Sequence, residues 1–386
     1  HGAGSPDADG GVADPPGEGG RKLNVGSGPA VARLFHGLLS LVFLVAWVSL
    51  GVQVVPLIGE HGLEPAAEWF ARLDQNPGTG FWDAPSALWW GSSDRTLQAG
   101  CLLGALLALL SALGVAPRVL LPIQAALYLS YAHAADTFLG FQWDNLLIEA
   151  GLLAALLPRD RPDRWGHLLL RLLLFKVFFE SGVAKWASPR GDWQDGSAMA
   201  AYYQTAPLPT PLAFFAHQLP AALHALESWW VLVFELVVPF FIFGGRWLRA
   251  LALAIFGGFL VLDAATANYG FLVPLMATLC VSLLDEDHAL RILAPLRRGK
   301  VTLPSRRHAR LAAGAAWAVG GLWLLLSTQS ALARFTTVDF LPGVRRQATA
   351  FRAANAYGLF GAITPRRQVP EFQTTEDGAT WIGHPL

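Results

Sequence analysis

"LLLFKVFFESGVAKW" (residues 172–186) is apolar enough for the middle of a membrane-spanning helix, yet it carries Lys176, Glu180 and Lys185. An ionisable residue near the bilayer centre costs about 2.5–3.5 kcal/mol on insertion scales, so it persists where it is paired, wetted or useful. Glu180 follows Lys176 by four residues, which places both on one helix face. Two readings follow. Lys176 and Glu180 form an intrahelical pair while Lys185 snorkels to the interface, or the three charges line a polar pocket.

Composition favours a membrane setting. Of 386 residues, 53% are hydrophobic and 15% charged, well below the roughly 25% charged of soluble domains. Formal net charge is zero, so no basic field points to nucleic acid. Cys101 and Cys280 lie alone in apolar runs, which indicates neither a disulfide framework nor a thiol redox motif. No HExxH, Gly-rich phosphate loop or GxSxG elbow is present, so no metal or cofactor is expected from motifs. His217 and His224 are two helical turns apart, a weak signal for metal.

Apolar runs predict spans near 34–58, 97–115, 119–139, 141–157, 167–187, 229–245, 247–267, 270–284 and 309–330. The runs at 141–157 and 270–284 fall short of the ~20 residues that cross a bilayer and are read as thin or re-entrant. The expected fold is an all-α polytopic membrane protein of about eight or nine transmembrane or re-entrant helices. With the N-terminus cytoplasmic, sixteen Lys and Arg residues fall inside against Arg72, Arg95 and Arg190 in the outer loops. That bias predicts a cytoplasmic N-terminus and an outer C-terminus. Residues 1–30, rich in Gly, Pro and Asp, read as a disordered tail, and 31–330 as the transmembrane domain. The first residue is His, so the natural start is expected to lie upstream.

The outer segments 59–96 and 188–228 hold or adjoin most of the tryptophans, including Trp69, Trp82, Trp89, Trp90, Trp193, Trp229 and Trp230. They read as an aromatic belt with helices lying in the interface. Residues 331–386 contain "TEDGATW" (375–381), an Asp-Gly turn between short extended stretches. This reads as the start of a small, truncated β domain on the outer side.

On this map the buried polar groups gather in the outer half of the membrane. Lys176 is near the middle of its span; Glu180 and Lys185 lie further out. His133, Asp136, Asp144, Asn145, Glu149, Glu235, Asp263 and Asn268 fall toward the outer ends of neighbouring spans. Scattered structural pairs would show no preference for one leaflet. A polar cavity open to the outside would, with Glu149, Glu180 and Glu235 as acidic walls and Lys176 and Lys185 as their partners. Asp144, Asn145, Asp263 and Asn268 would complete it.

Several stretches together resemble the lipase maturation factor family. They are "GFQWDNLLIEAGLLA" (140–154), "FESGVAKW" (179–186), "YYQTAPLPTPLAFFAHQLP" (202–220), "FELVVPFFIFG" (234–244), "NYGFL" (268–272) and "AYGLFGAIT" (356–364). The resemblance covers roughly residues 31–381. It implies a multi-span membrane protein of the endoplasmic reticulum, or of the cytoplasmic membrane in a bacterium. Such proteins act in folding and assembly of secreted lipases on the lumenal side. A family run like FHYETQPLP becomes "AYYQTAPLP" (201–209) here, so a His and a Glu of that pattern are replaced.

The first functional reading is a non-enzymatic maturation factor. It would hold a secreted lipase or hydrolase client through Pro207, Leu208, Pro209, Phe214, Phe215 and His217, with membrane lipids around it. Exposed apolar surface of this kind marks partner sites. The second is a membrane enzyme acting on a quinone, lipid or secreted peptide, since the family is distantly similar to vitamin K-dependent carboxylases. Lys176 or Lys185 would then be the base, tuned by Glu180 or Glu235, with Glu149 a further candidate. A transporter is disfavoured because the inner half lacks polar groups for a through-path.

Overall fold

The structure is a computed structural model and describes residues 1, 28–294, 306–333, 341–366 and 371–384. The tail expected over 1–30 lies almost wholly outside the described residues, as do several basic residues between Arg291 and Arg310.

In hydrocarbon every backbone N–H and C=O must be satisfied within its own segment, so long apolar runs become helices. They are α1 (Pro29–Ile58), α3 (Asp94–Ala112), α4 (Pro117–Ala134), α6 (Gln142–Ala154), α7 (Arg164–Trp186), α10 (Ala221–Val237), α11 (Arg246–Thr266), α12 (Leu272–Cys280) and α14 (Arg306–Leu332). Shorter helices lie between them: α2 (Ala66–Asp74), α5 (Asp136–Leu139), α8 (Ala198–Thr205), α9 (Pro211–His217), α13 (Glu286–Leu293) and α15 (Pro342–Ala350). Among the described residues five segments are long and apolar enough to cross a membrane: Pro29–Ile58, Asp94–Ala112, Ala221–Phe243, Arg246–Thr266 and Gly314–Leu332. The chain is therefore an all-α polytopic membrane protein. With 23 residues α7 has the length to cross as well, but it carries the charges of the opening stretch.

α3 and α4, joined by the short link 113–116, pack on each other. α1 lies on α3, α4 on α6 and α7 on α10. Trp47 of α1 sits edge-on to Tyr128 and Tyr131 of α4, with ring centroids 5.3 and 5.5 Å apart. One end of the bundle is closed by basic side chains on helix-end carbonyls, a use of Arg that relieves the unsatisfied C-terminal turn. Arg118 donates to the Ala155 carbonyl at 3.0 and 2.8 Å, and Arg159 to that of Gly114 at 3.1 Å. At the same end Glu286 accepts from the free N–H groups of Ala30 and Val31 at the start of α1, where a carboxylate also complements the helix dipole.

Gly182 sets the closest approach of α7 to α10. A Cβ there would lie 2.9 Å from the Cβ of Glu235 and 3.0 Å from its carbonyl carbon. Only a residue without a side chain lets the two backbones come this near. Gly182→Ala is expected to cost about 1–3 kcal/mol by overpacking, read as a lower melting temperature in detergent. An unchanged melting temperature would mean that α10 shifts freely.

The boundary expected at residue 330 does not mark the end of the helical region. After α14 the chain forms α15, whose Arg346 reaches Asp83 at 2.5 Å. It then turns back into the bundle over residues 351–363, as described below. The extended part is a hairpin of β1 (Phe372–Thr374) and β2 (Ile382–His384), antiparallel, with Gln373 opposite Gly383. Gly378 at φ +71° turns the chain, and Asp377 accepts from the N–H groups of Ala379 and Thr380. Those donors hold its exposed carboxyl below the usual carboxylate range.

Candidate functional site

The two lysines of α7 stand in two buried clusters. In the first, Lys176 is paired with Glu149 of α6 at 3.3 Å, not with Glu180 one turn along its own helix. Its ammonium also donates to Ser327 of α14 at 3.1 Å and lies over the rings of Trp323 and Tyr357. Glu149 is fully buried. It accepts from Lys176, from the Trp323 indole at 2.9 Å, from the backbone and side-chain amides of Asn355 at 3.2 and 2.7 Å, and from the Tyr357 hydroxyl at 2.6 Å. A buried carboxylate needs this many donors to offset its lost hydration.

In the second cluster, Lys185 donates to both oxygens of Glu235, at 2.9 and 2.7 Å, and to the Leu359 carbonyl at 2.7 Å. It lies over the Trp193 ring. All three ammonium protons are thus directed at acceptors, which is how a charge is held. A general base must instead present a lone pair to its substrate.

Both clusters are arranged around residues 352–363, the return segment. Glu180 accepts from the Tyr357 N–H at 2.6 Å, Gln142 from Gly358 at 2.7 Å and Ser181 from Leu359 at 3.0 Å. Asp192 accepts from Ile363 at 2.8 Å. Arg352 donates to the carbonyls of Ala132 and Leu139 and to Asn145 and Asp136. The return segment therefore occupies the space between the charges of Glu149, Glu180, Glu235, Lys176 and Lys185, and the room left beside them is divided between two cavities. Irregular backbone at such depth is tolerated only where protein groups satisfy it, and the polar side chains of α6, α7 and α10 supply that.

The four residues expected to complete one pocket do not share one. Asp144 accepts from the Tyr128 hydroxyl at 2.7 Å, Asn145 from Arg352, and the exposed Asn268 from the N–H of Gly270. Asp263 lines a separate cavity of about 320 Å³ beside Lys185 and Glu235. Lys176 and Glu180 border another of about 250 Å³ between α7 and α14. Sequence reasoning missed Asn355, Tyr357, Trp323 and Arg352. "AYGLFGAIT" was legible as a motif, but nothing in it announces that it lies inside the bundle.

On the segment 202–220, Leu208, Phe214 and Phe215 are each more than 60% exposed, and Pro207 and Pro209 are exposed too. The segment is anchored from behind: Asn268 donates to the Leu208 carbonyl and Thr210 to that of Thr266. His217 is turned inward, and its Nδ1 is buried without a partner among the described residues. At the altered position 202 the Tyr202 hydroxyl meets that of Tyr269 at 2.6 Å, and next to it burial pushes the Tyr203 phenol up to about 12. Where the family pattern has His and Glu, this chain has a neutral hydroxyl and an amide. Among the described residues no group of three or more His, Cys, Asp or Glu is placed to hold a metal ion.

The family model of the lipase maturation factor transmembrane domain matches residues 30–291. The chain belongs to the lipase maturation factor family. It is 37% identical over 281 residues to lipase maturation factor 2 of Xenopus laevis, covering 65% of this chain and 38% of that protein. With human lipase maturation factor 2 it shares 34% identity over 285 residues, 66% of this chain and 40% of the relative. With lipase maturation factor 1 of Bos taurus the identity is 30% over 419 residues, 95% of this chain and 71% of the relative. The matched region thus spans about two-fifths of the lipase maturation factor 2 proteins. No solved structure matches. Glu149, Lys176, Glu180, Lys185 and Glu235 lie within the matched domain, whereas Trp323, Asn355 and Tyr357, which complete their coordination, lie beyond residue 291.

Proposed function

We propose that this chain assists the folding or assembly of secreted lipases, or of other secreted hydrolases, on the outer side of a membrane. The side meant is the lumenal face of the endoplasmic reticulum in a eukaryote and the outer face of the cytoplasmic membrane in a bacterium. The N-terminus is then cytoplasmic and the C-terminus outside. One observation carries the reading. The buried charges are engaged in holding the return segment, while Leu208, Phe214 and Phe215 stand exposed on an anchored support. An exposed apolar ledge on a rigid frame is what a non-catalytic holder of a partly folded client requires. The names of the relatives point to lipases as the clients.

The test is co-expression with a secreted lipase, followed by crosslinking and lipase assay. Phe214→Asp with Phe215→Asp is expected to reduce crosslinked and active lipase at least about tenfold, the usual weight of central aromatic contacts. The melting temperature should hold, because exposed substitutions stay within about 0.5 kcal/mol. Undiminished lipase output from the double variant would sink the assignment of the ledge.

A further inference from the structure

The 320 Å³ cavity has a mostly apolar lining with a few charged side chains set into it. Val177, Phe178, Leu260, Leu272 and Met276 form its apolar wall. Glu227 of α10 and Asp263 near the end of α11 line it too. Trp230 and Leu262 both line it and are more than half exposed, so its rim lies on an exposed apolar surface.

The charges inside are unequal. Glu235 has Lys185, and Glu227 has His224 at 3.2 Å. The Asp263 carboxylate makes no side-chain hydrogen bond or salt bridge among the described residues, although it is half-buried. An acceptor-only group facing an apolar space is poorly hydrated and lacks a donor. Its natural complement is a cation with N–H groups, carried on a hydrocarbon chain that covers the apolar wall. At about 320 Å³ the cavity lies near the small end of ligand sites, roughly 300–1,000 Å³, which suits one chain and not two.

We propose that this cavity binds an amphiphile with a single hydrocarbon chain entering it and a protonated amine head on Asp263. The cavity borders the ledge helix through Ala216 and the return segment through Leu359, Phe360 and Ile363, but the inference rests on Asp263 and the apolar wall, and its readout is amine binding, not client output. The chemistry has two sources, a free long-chain amine or an aminophospholipid that inserts one of its chains.

The experiment is isothermal titration of the full chain in maltoside detergent with dodecylammonium, dodecanoate and dodecanol. One-to-one binding of dodecylammonium, about tenfold or more tighter than either other probe, is the expected result. Asp263→Asn should weaken it about tenfold, and Ala216→Trp, which fills the cavity from the short surface helix α9, should abolish it. Equal binding of all three probes, or binding unmoved by both substitutions, means partition into detergent and overturns the proposal. Mass spectrometry of lipids extracted from the chain purified from its own membrane separates the two sources. An extract with neither amine amphiphile overturns a native ligand of this class.

Discussion

A chain ending at residue 341 is expected to lose its folded bundle, whereas one ending at Arg366 keeps it. The shorter chain lacks Asn355, Tyr357, Gly358, Leu359 and Ile363, which supply donors to Glu149, Glu180, Gln142, Ser181 and Asp192. It also loses the carbonyl that takes the third proton of Lys185. Each buried group left without its partner costs about 1–3 kcal/mol. Five or six of these together reach the whole stability of a typical domain, about 5–15 kcal/mol. The longer chain gives up only the hairpin of β1 and β2, whose residues are exposed. Size-exclusion profiles and thermal melts in detergent read the difference. Two truncations with the same melting temperature would show that the return segment is a passenger.

Glu149→Ala should be the most damaging single substitution in the buried clusters. It leaves the Lys176 ammonium buried without an anion, which costs about 3–5 kcal/mol, and strands donors from Trp323, Asn355 and Tyr357. Lys176→Met should cost less, because Glu149 then keeps four neutral donors. Adding Lys176→Met to Glu149→Ala should therefore recover about 0.5–3 kcal/mol, the range of coupling between groups in contact. Four melting temperatures close the cycle. Strict additivity would mean that the two side chains do not share one buried site.

The same cycle bears on the role of the charges. A holder of clients should keep its client binding in Lys176→Met once melting is allowed for. Turnover that vanished with folding intact would favour the enzyme reading.

Much of the architecture was legible from the residues. Apolar runs mark helices because hydropathy is local, and the Pro and Gly punctuation near Pro117, Gly140 and Gly245 falls at helix starts and breaks. What the buried charges pair with was not legible. Lys176 and Glu180 are spaced for an intrahelical pair, yet the closer and better-supplied anion is Glu149, 27 residues earlier on another helix. No spacing rule reports a partner across a helix–helix interface.

The sequence by itself determined that this chain is a helical membrane protein of the lipase maturation factor family with ionisable side chains among its apolar helices. Periodicity, hydropathy and long ordered motifs suffice for that. Only the tertiary structure decided that residues 352–363 return into the bundle and satisfy those side chains. The reason is physical. Burying a carboxylate is unfavourable until donors surround it, and here all the donors but Lys176 come from residues more than 170 positions away from Glu149, brought together by packing alone.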